Sequence, residues 1–326
     1  MNIEKLGIIG GGAWGTALAQ VAATGGRETL LWAREPEVVE SINRRHENDL
    51  FLPGVALSPA IRATQALVEL EECDAWLVVT PAQHVRAILT AARFDRPLIL
   101  CAKGIEESSG SLLHQVAREA CPDAPVLVLS GPTFAHEVAV GLPTAVTLAC
   151  EDQVCGGAVR RRIALPTFRT YWTDDVAGAE VGGAVKNVLA IACGVVEGRG
   201  LGQNARAALI ARGFAEMTRF GLSMGARRET LAGLSGFGDL VLTCSSTSSR
   251  NYALGKGLGE GRSAATLMAD RRTVAEGAYT APVLHRLAAQ RGIDMPIVAA
   301  VDALLAGRAD VDAVIESLLR RSLRAE

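Results

Sequence analysis

The sequence predicts an α/β protein in which a doubly wound, mostly parallel sheet is followed by an all-helical domain, and three observations lead there. Between residue 3 and about residue 172, short apolar runs near 6–10, 29–33, 60–63, 75–79, 97–101, 125–129, 144–149 and 168–172 alternate with stretches of helical periodicity, the pattern of successive βαβ units. After about residue 176 the period-2 runs largely stop, and stretches such as 177–197 and 203–220 repeat apolar residues at helical spacing. The first strand also runs straight into the turn Gly10-Gly11-Gly12-Ala13-Trp14-Gly15, which marks the sheet domain as Rossmann-like. The expected division is a dinucleotide-binding domain over 1–176 and a helical substrate-binding and catalytic domain over 177–326.

In that turn Gly10 permits the tight bend, Gly12 lets the backbone approach a pyrophosphate, and Gly15 lets the following helix pack on the strand. The helix starting near Ala13 aims its free N–H groups and positive dipole end at the same place. A glycine turn alone is weak evidence, but a strand before it and a helix after it supply the context the motif needs. The second strand, Thr29-Leu30-Leu31-Trp32-Ala33, ends in Arg34, where a guanidinium can receive the 2′-phosphate of NADP or stack on adenine. Glu35 follows immediately and leaves room for NAD; a surface arginine that binds nothing is the plainer alternative. Pro36 to Ile42 reads as a helix with proline in its first turn, and Phe51-Leu52-Pro53-Gly54 as a turn.

Four further segments place charged or small residues in otherwise apolar sequence. Lys103, in Cys101-Ala102-Lys103-Gly104-Ile105, stands at the carboxyl end of a strand, where ligands of open α/β sheets bind. Ser130-Gly131-Pro132-Thr133-Phe134-Ala135 also follows a strand and brings Thr133 and backbone N–H groups to that edge; for both, an ordinary strand-to-helix turn is an equal explanation. Lys186 and Asn187 interrupt a strongly apolar helix just after Gly182 and Gly183. A lysine there tends toward a lowered pKa that suits proton transfer, the alternative being a side chain that snorkels to the surface. Asp239, in Gly236-Phe237-Gly238-Asp239-Leu240, can cap a helix or orient an ammonium, and Ser249-Arg250-Asn251 can hold a small phosphate at a helix start. Taken locally, plain Ser/Thr capping explains that last cluster better. Gly198, Gly200 and Gly202 separate the first two helices of the second half, and Pro282 and Pro296 are expected at helix starts or breaks.

The chain has 326 residues and a formal net charge of −2, which gives no general attraction to nucleic acid or to an anionic membrane. Arg160-Arg161-Arg162 and Arg320-Arg321 are too short to change this and are expected to be solvated helix faces. Seven cysteines form no C-x-x-C pair and no zinc-type spacing with histidine, so no metal site is expected and the thiols read as reduced, as in the cytoplasm. The N-terminus enters its first strand without a leader-like segment, and no apolar run approaches the length of a bilayer span.

Taken together the segments resemble the soluble, bacterial-type NAD(P)-dependent glycerol-3-phosphate dehydrogenases over nearly the whole chain. Gly-x-Gly-x-Trp-Gly-Thr-Ala-Leu-Ala, Phe-Leu-Pro-Gly, Ala-Lys-Gly-Ile-Glu, Ser-Gly-Pro-Thr-Phe-Ala-x-Glu-Val, Val-Lys-Asn, Gly-x-Gly-Asp-Leu and Ser-Arg-Asn stand here in the family's order. The resemblance implies reversible hydride transfer between NAD(P)H and dihydroxyacetone phosphate, giving sn-glycerol 3-phosphate for phospholipid synthesis. It implies that Lys186 is the proton donor and acceptor, that Lys103 contacts cofactor and substrate, and that Gly131, Thr133, Asp239, Ser249, Arg250 and Asn251 contact substrate. By the same likeness Trp14, Arg34, Ala135, Arg250, Val274 and Glu276 contact NADP(H), with NAD(H) tolerated, and a homodimer is expected by analogy. Thr133 stands where serine is also common, and a hydroxyl is present either way. Two other readings compete: another dehydrogenase of this architecture, of 3-hydroxyacid or 6-phosphogluconate type, from which Ser-Arg-Asn separates it, and a cofactor-sensing regulator, in which Lys103, Lys186 and Asp239 have no task.

Overall fold

The computed structural model describes residues 2–269 and 274–321. Eight strands, β1 (Leu6–Ile9), β2 (Thr29–Trp32), β3 (Ile61–Thr64), β4 (Ala75–Val78), β5 (Leu98–Leu100), β6 (Val126–Ser130), β7 (Thr144–Ala149) and β8 (Phe168–Thr173), form one sheet in the order β3-β2-β1-β4-β5-β6-β7-β8. Neighbours run parallel except β6 and β7, which pair antiparallel with Val128 opposite Ala149. β1 lies between β2 and β4, with Leu6 in register with both Thr29 and Ala75. The chain order therefore reverses at β1, and the crevice beyond its carboxyl end is where such sheets take ligands.

Both faces of the sheet are apolar because helices cover both. Leu6, Ile8, Leu31, Leu77, Ile99 and Leu127 belong to one core, while Ile9, Leu30, Trp76, Val78, Leu98 and Leu100 belong to the other. The covering helices are α1 (Ala13–Ala22), α2 (Pro36–Arg45), α3 (Val85–Leu89), α4 (Leu113–Ala120), α5 (Ala135–Ala139) and α6 (Gln153–Ile163). α2 shows how locally these elements are specified: Pro36 and Glu37 open it, Arg44 and Arg45 close it in accord with its dipole, and His46 ends it in the left-handed conformation at φ 54°.

The arginine run on α6 departs from expectation. Arg160 and Arg161 are exposed, but Arg162 is buried, with Nε donating to Glu4 O at 3.1 Å and Nη1 to Ala22 O at 2.8 Å, while its own carbonyl accepts from Arg27. It ties α6 to the end of α1 and to the entry of β1. Burial lowers its pKa to about 10.

Beyond β8 the chain is helical: α7 (Val176–Gly198), α8 (Gly202–Ser223), α9 (Arg228–Ala232), a π-turn (Leu234–Gly238), α10 (Asp239–Thr243), α11 (Arg250–Gly259), α12 (Ala264–Leu267), α13 (Glu276–Gln290), α14 (Pro296–Leu305) and α15 (Val311–Leu319). Pro296 opens α14, whereas Pro282 lies inside α13 without breaking it. That helix forgoes the bond Pro282 cannot donate, because packing of Ala281, Val283 and Leu284 in the core holds it together. Among the described residues α7 alone is long and apolar enough to cross a membrane, and here it is the almost wholly buried centre of the helical core.

α7 and α11 meet along a seam of glycines. An added Cβ on Gly194 would lie 2.1 Å from Tyr252 O, on Gly198 2.2 Å from Lys256 O, on Gly255 1.9 Å from Ile191 O and on Gly259 2.5 Å from Val195 O. Two helices each carrying glycine at i and i+4 thus pack backbone against backbone. Gly255→Ala is expected to force the pair apart and to destabilise the fold by about 1–3 kcal/mol or more, read as a lower midpoint in urea or thermal unfolding.

Candidate active site

The glycine turn shows what each of its members is for. Gly10 has φ 127° and its N–H donates to Trp32 O at 3.0 Å. An added Cβ on Gly15 would lie 1.8 Å from Gly10 O, and one on Gly11 would lie 2.5 Å from the Ala33 Cβ. A Cβ on Gly12 would meet nothing within 4 Å. Gly10, Gly11 and Gly15 are therefore demanded by the protein's own packing, and Gly12 alone borders open space. α1 begins at Ala13 with no side-chain cap, so its first N–H groups remain available to an anion. Buried Trp14 Nε1 and Thr80 Oγ1, the latter just beyond β4, have no hydrogen-bond partner among the described residues. These features fit a dinucleotide.

Arg34 follows β2 with its side chain 80% exposed and donates to Glu35 Oε1 from Nε at 3.1 Å and Nη2 at 2.9 Å. An exposed pair of this kind is worth about 0–1 kcal/mol, so the guanidinium is readily surrendered to a phosphate dianion.

The other lysines and acids expected from the sequence come together across the sheet edge. Lys186, on α7 and 6% exposed, donates from Nζ to Asp239 Oδ1 at 2.7 Å and to Thr243 Oγ1 at 2.8 Å. Lys103, three residues past β5, donates to Asp239 Oδ2 at 2.7 Å and to Gly131 O at 3.1 Å. Asp239, which opens α10, is wholly buried and accepts from both ammonium groups and, at 3.2 Å, from Thr243. Burial lowers the pKa of Lys186 to about 8; Asp239 opposes the shift and Lys103 adds to it. The paired glycines are also explained, since a Cβ on Gly183 would lie 3.2 Å from Lys103 Cγ and one on Gly182 would lie 2.5 Å from Ser235 O. They admit the Lys103 side chain and the π-turn against α7.

The start of α11 is wired to the same place. Asn187 Nδ2 donates to Lys103 O at 3.3 Å, Asn251 Nδ2 to Asn187 Oδ1 at 3.1 Å, and Gly277 N to Asn251 Oδ1 at 2.9 Å. Ser249 Oγ caps α11 by accepting from Tyr252 N at 3.2 Å, so the capping explanation holds for its oxygen. Arg250 opens α11, is exposed, and has no hydrogen-bond or ion-pair partner among the described residues. The surrounding protein lowers its pKa and Glu276 opposes that shift. Glu276 Oε1 accepts from Ala82 N at 3.3 Å, joining α13 to the sheet domain, and burial raises its pKa to about 7. Thr133 Oγ1 donates to Gly131 O at 3.3 Å and Ala135 opens α5. Arg34 and the half-buried Val274 lie outside this hydrogen-bonded cluster.

Three contributors were not singled out from the sequence. Thr243 lies one turn from Asp239 on α10, a spacing that would have revealed it. Gly11 and Ser130, whose buried Oγ has no partner among the described residues, carry no local signal.

The carboxyl-terminal part of the chain, residues 175–316, matches the family model of the NAD-dependent glycerol-3-phosphate dehydrogenase C-terminus, and residues 5–155 match that of the N-terminus. The chain belongs to the NAD-dependent glycerol-3-phosphate dehydrogenase family. Among family members it is 63% identical to glycerol-3-phosphate dehydrogenase [NAD(P)+] of Erythrobacter litoralis, covering 99% of this chain and 98% of that one. It is 62% identical to the protein of the same name from Novosphingobium aromaticivorans, with 99% and 98% covered. A crystal structure of glycerol-3-phosphate dehydrogenase from Coxiella burnetii superimposes with a TM-score of 0.93 at 36% identity, covering 98% of this chain and 99% of that one.

Asp239→Ala removes the carboxylate shared by two ammonium groups and leaves buried positive charge without compensation. It is expected to destabilise the protein by about 3–5 kcal/mol, measured by chemical denaturation at neutral pH.

Proposed function

We propose that this protein reversibly reduces dihydroxyacetone phosphate to sn-glycerol 3-phosphate with NADPH, accepting NADH less well, in the cytoplasm and for glycerophospholipid synthesis. The observation that carries this reading is the buried ammonium of Lys186, held by Asp239 at the sheet edge used by Lys103, with its neighbour Asn187 bonded to Asn251 at the start of α11. When bound, the reduced nicotinamide supplies a hydride to the ketone carbon, and the carbonyl oxygen takes up the negative charge that results.

Lys186 stabilises that charge and gives the oxygen a proton, and in the reverse direction its neutral amine takes the hydroxyl proton. Asp239 orients it, and Lys103 places a second positive charge between cofactor and substrate. Gly131 and Thr133 form one wall of the substrate site, while Ser249, Arg250 and Asn251 hold the phosphate, so binding energy from the unreactive end of the molecule fixes the reacting carbonyl. Gly10, Gly12 and Gly15 with the start of α1 receive the pyrophosphate. Arg34 receives the 2′-phosphate, and Trp14, Ala135, Val274, Glu276 and Arg250 complete the cofactor site. In this reading residues 1–176 form the dinucleotide-binding domain, to which 177–326 lends Arg250, Val274 and Glu276. Residues 177–326 form the substrate-binding and catalytic domain, to which 1–176 lends Lys103, Gly131 and Thr133, and two copies form a homodimer.

The assay is oxidation of NADPH, followed by absorbance, on adding dihydroxyacetone phosphate; turnover is expected, and binding of NADPH without turnover would overturn the reading. Lys186→Ala should keep NADPH affinity and lose about 10²–10⁴-fold in kcat. Reduction needs the ammonium and oxidation the amine. With the pKa of Lys186 lowered to about 8, ketone reduction should therefore fall as pH rises through that value and glycerol 3-phosphate oxidation should rise over the same interval. A profile flat from pH 6.5 to about 9.5 in both directions would remove Lys186 from proton transfer.

Arg34→Asp is expected to lower the ratio of kcat/KM for NADPH over NADH by about 10–100-fold, the worth of a charge-assisted contact to phosphate. An unchanged ratio would place the 2′-phosphate elsewhere.

A further inference from the structure

The turn Phe51-Leu52-Pro53-Gly54 and the chain leading into it take no part in the chemistry described above, yet they are fastened to the glycine turn. After α2 the left-handed residue His46 reverses the chain, and its carbonyl accepts from Leu57 N at 2.8 Å. Leu52, Val55 and Leu57 are buried in the sheet core, so the loop is anchored along its length. Its innermost polar residue is Asn48, only 1% exposed. Asn48 Nδ2 donates to Gly11 O at 2.9 Å and to Thr16 Oγ1 at 2.7 Å, its Oδ1 accepts from Phe51 N at 3.2 Å, and its carbonyl accepts from Leu52 N at 2.8 Å.

The contact with Gly11 O has a geometric consequence. In a planar trans peptide the C=O of one residue and the N–H of the next point in opposite directions, and the described chain has no cis peptide bond. Holding Gly11 O in a buried pocket therefore turns the Gly12 N–H away from that pocket. This amide has no partner among the described residues, and Gly12 is the one glycine of the turn that borders open space. Without a side chain neither Gly11 nor Gly12 limits its own peptide rotation, so the direction of this N–H must be imposed from outside.

We propose that Asn48 is a positioning residue for cofactor binding: from behind the glycine turn it fixes the Gly11–Gly12 peptide so that the Gly12 N–H is presented to a dinucleotide pyrophosphate. This rests on the glycine turn being the pyrophosphate site. The preorganised amide lowers the ordering cost of binding and leaves the chemistry at Lys186 untouched.

The test separates affinity from stability. Asn48→Ala is expected to raise the NADPH Kd, titrated by nicotinamide fluorescence, about tenfold, with kcat at saturating NADPH and KM for dihydroxyacetone phosphate within about twofold of wild type. Should that variant not fold, Asn48→Ser, which retains one donor, is expected to raise Kd about threefold with the same unchanged kcat. Thr16→Val removes the other acceptor of the Asn48 amide and also the longer bond, 3.4 Å, that Thr16 Oγ1 itself donates to Gly11 O. The 2.9 Å bond from Asn48 to Gly11 O remains, so this variant should lower Tm with Kd within about twofold of wild type. A folded Asn48 variant with lower Tm and unaltered Kd would overturn the proposal, as would Thr16→Val weakening NADPH as much as Asn48→Ala. Wild-type protein that does not bind NADPH would overturn this proposal and the cofactor reading beneath it together.

Discussion

The site depends on one buried carboxylate serving two ammonium groups. Asp239 bonds Lys186 through one oxygen and Lys103 through the other, each at 2.7 Å, and no part of it reaches solvent. Taking three charges out of water is expensive, and apolar residues of similar volume would often be no worse for stability. The arrangement joins α10 and α7 of the helical half to the loop after β5 of the sheet, so the same ion cluster that holds Lys186, the proposed proton-transfer group, ties the two halves together. Thr243, one turn on from Asp239, saturates the contact by accepting from Lys186 and donating to the carboxylate.

This cluster is only as well placed as the helices that carry it. α7 is buried almost throughout, and the glycine seam with α11 brings two backbones closer than any side chain would allow. That seam delivers Ser249, Arg250 and Asn251 to the middle of α7, near Lys186, where the Asn187–Asn251–Gly277 relay locks the start of α11 and of α13 to the Lys103 backbone. Amide side chains suit this work because each both donates and accepts, so a chain of them stays satisfied without adding charge beside the lysines. The relay also shows why Asn251 is more than a ligand candidate. Its carbonyl oxygen is already committed to Gly277.

Much of this was legible in the residue pattern, and the exceptions have physical causes. All eight strands fall within a residue or two of the apolar runs, because the central strands of a sheet covered on both faces are continuously hydrophobic, while the edge strands β3 and β8 still alternate buried with exposed residues. Lys103, Lys186 and Asp239 stood out as charges in apolar surroundings, and the fold unites them. Pro282 misled because a proline inside a helix is read as a break, whereas the core contacts of α13 outweigh one missing bond. Arg162 looked like its neighbours in a basic run; only the tertiary position of the Ala22 and Glu4 carbonyls selects it for burial. Gly11 looked like filler between two motif glycines, since nothing local reveals that Ala33 presses against it. Asn48 is the extreme case, meeting its acceptor 37 residues away in sequence.

The two lysines on Asp239 illustrate how one pair of residue types is divided between tasks. Lys103 also bonds Gly131 O and is the more exposed, whereas Lys186 lies deeper, with a hydroxyl as its only other hydrogen-bond partner among the described residues. Burial and the neighbouring positive charge of Lys103 both favour the neutral amine at Lys186, and Asp239 limits how far they prevail. A proton carrier for a reversible redox reaction must be charged for reduction and neutral for oxidation, so it works best with its pKa near the operating pH. Deep burial alone would leave Lys186 a permanent base, and a carboxylate of its own would leave it a permanent cation. Sharing one carboxylate between two lysines gives the intermediate condition.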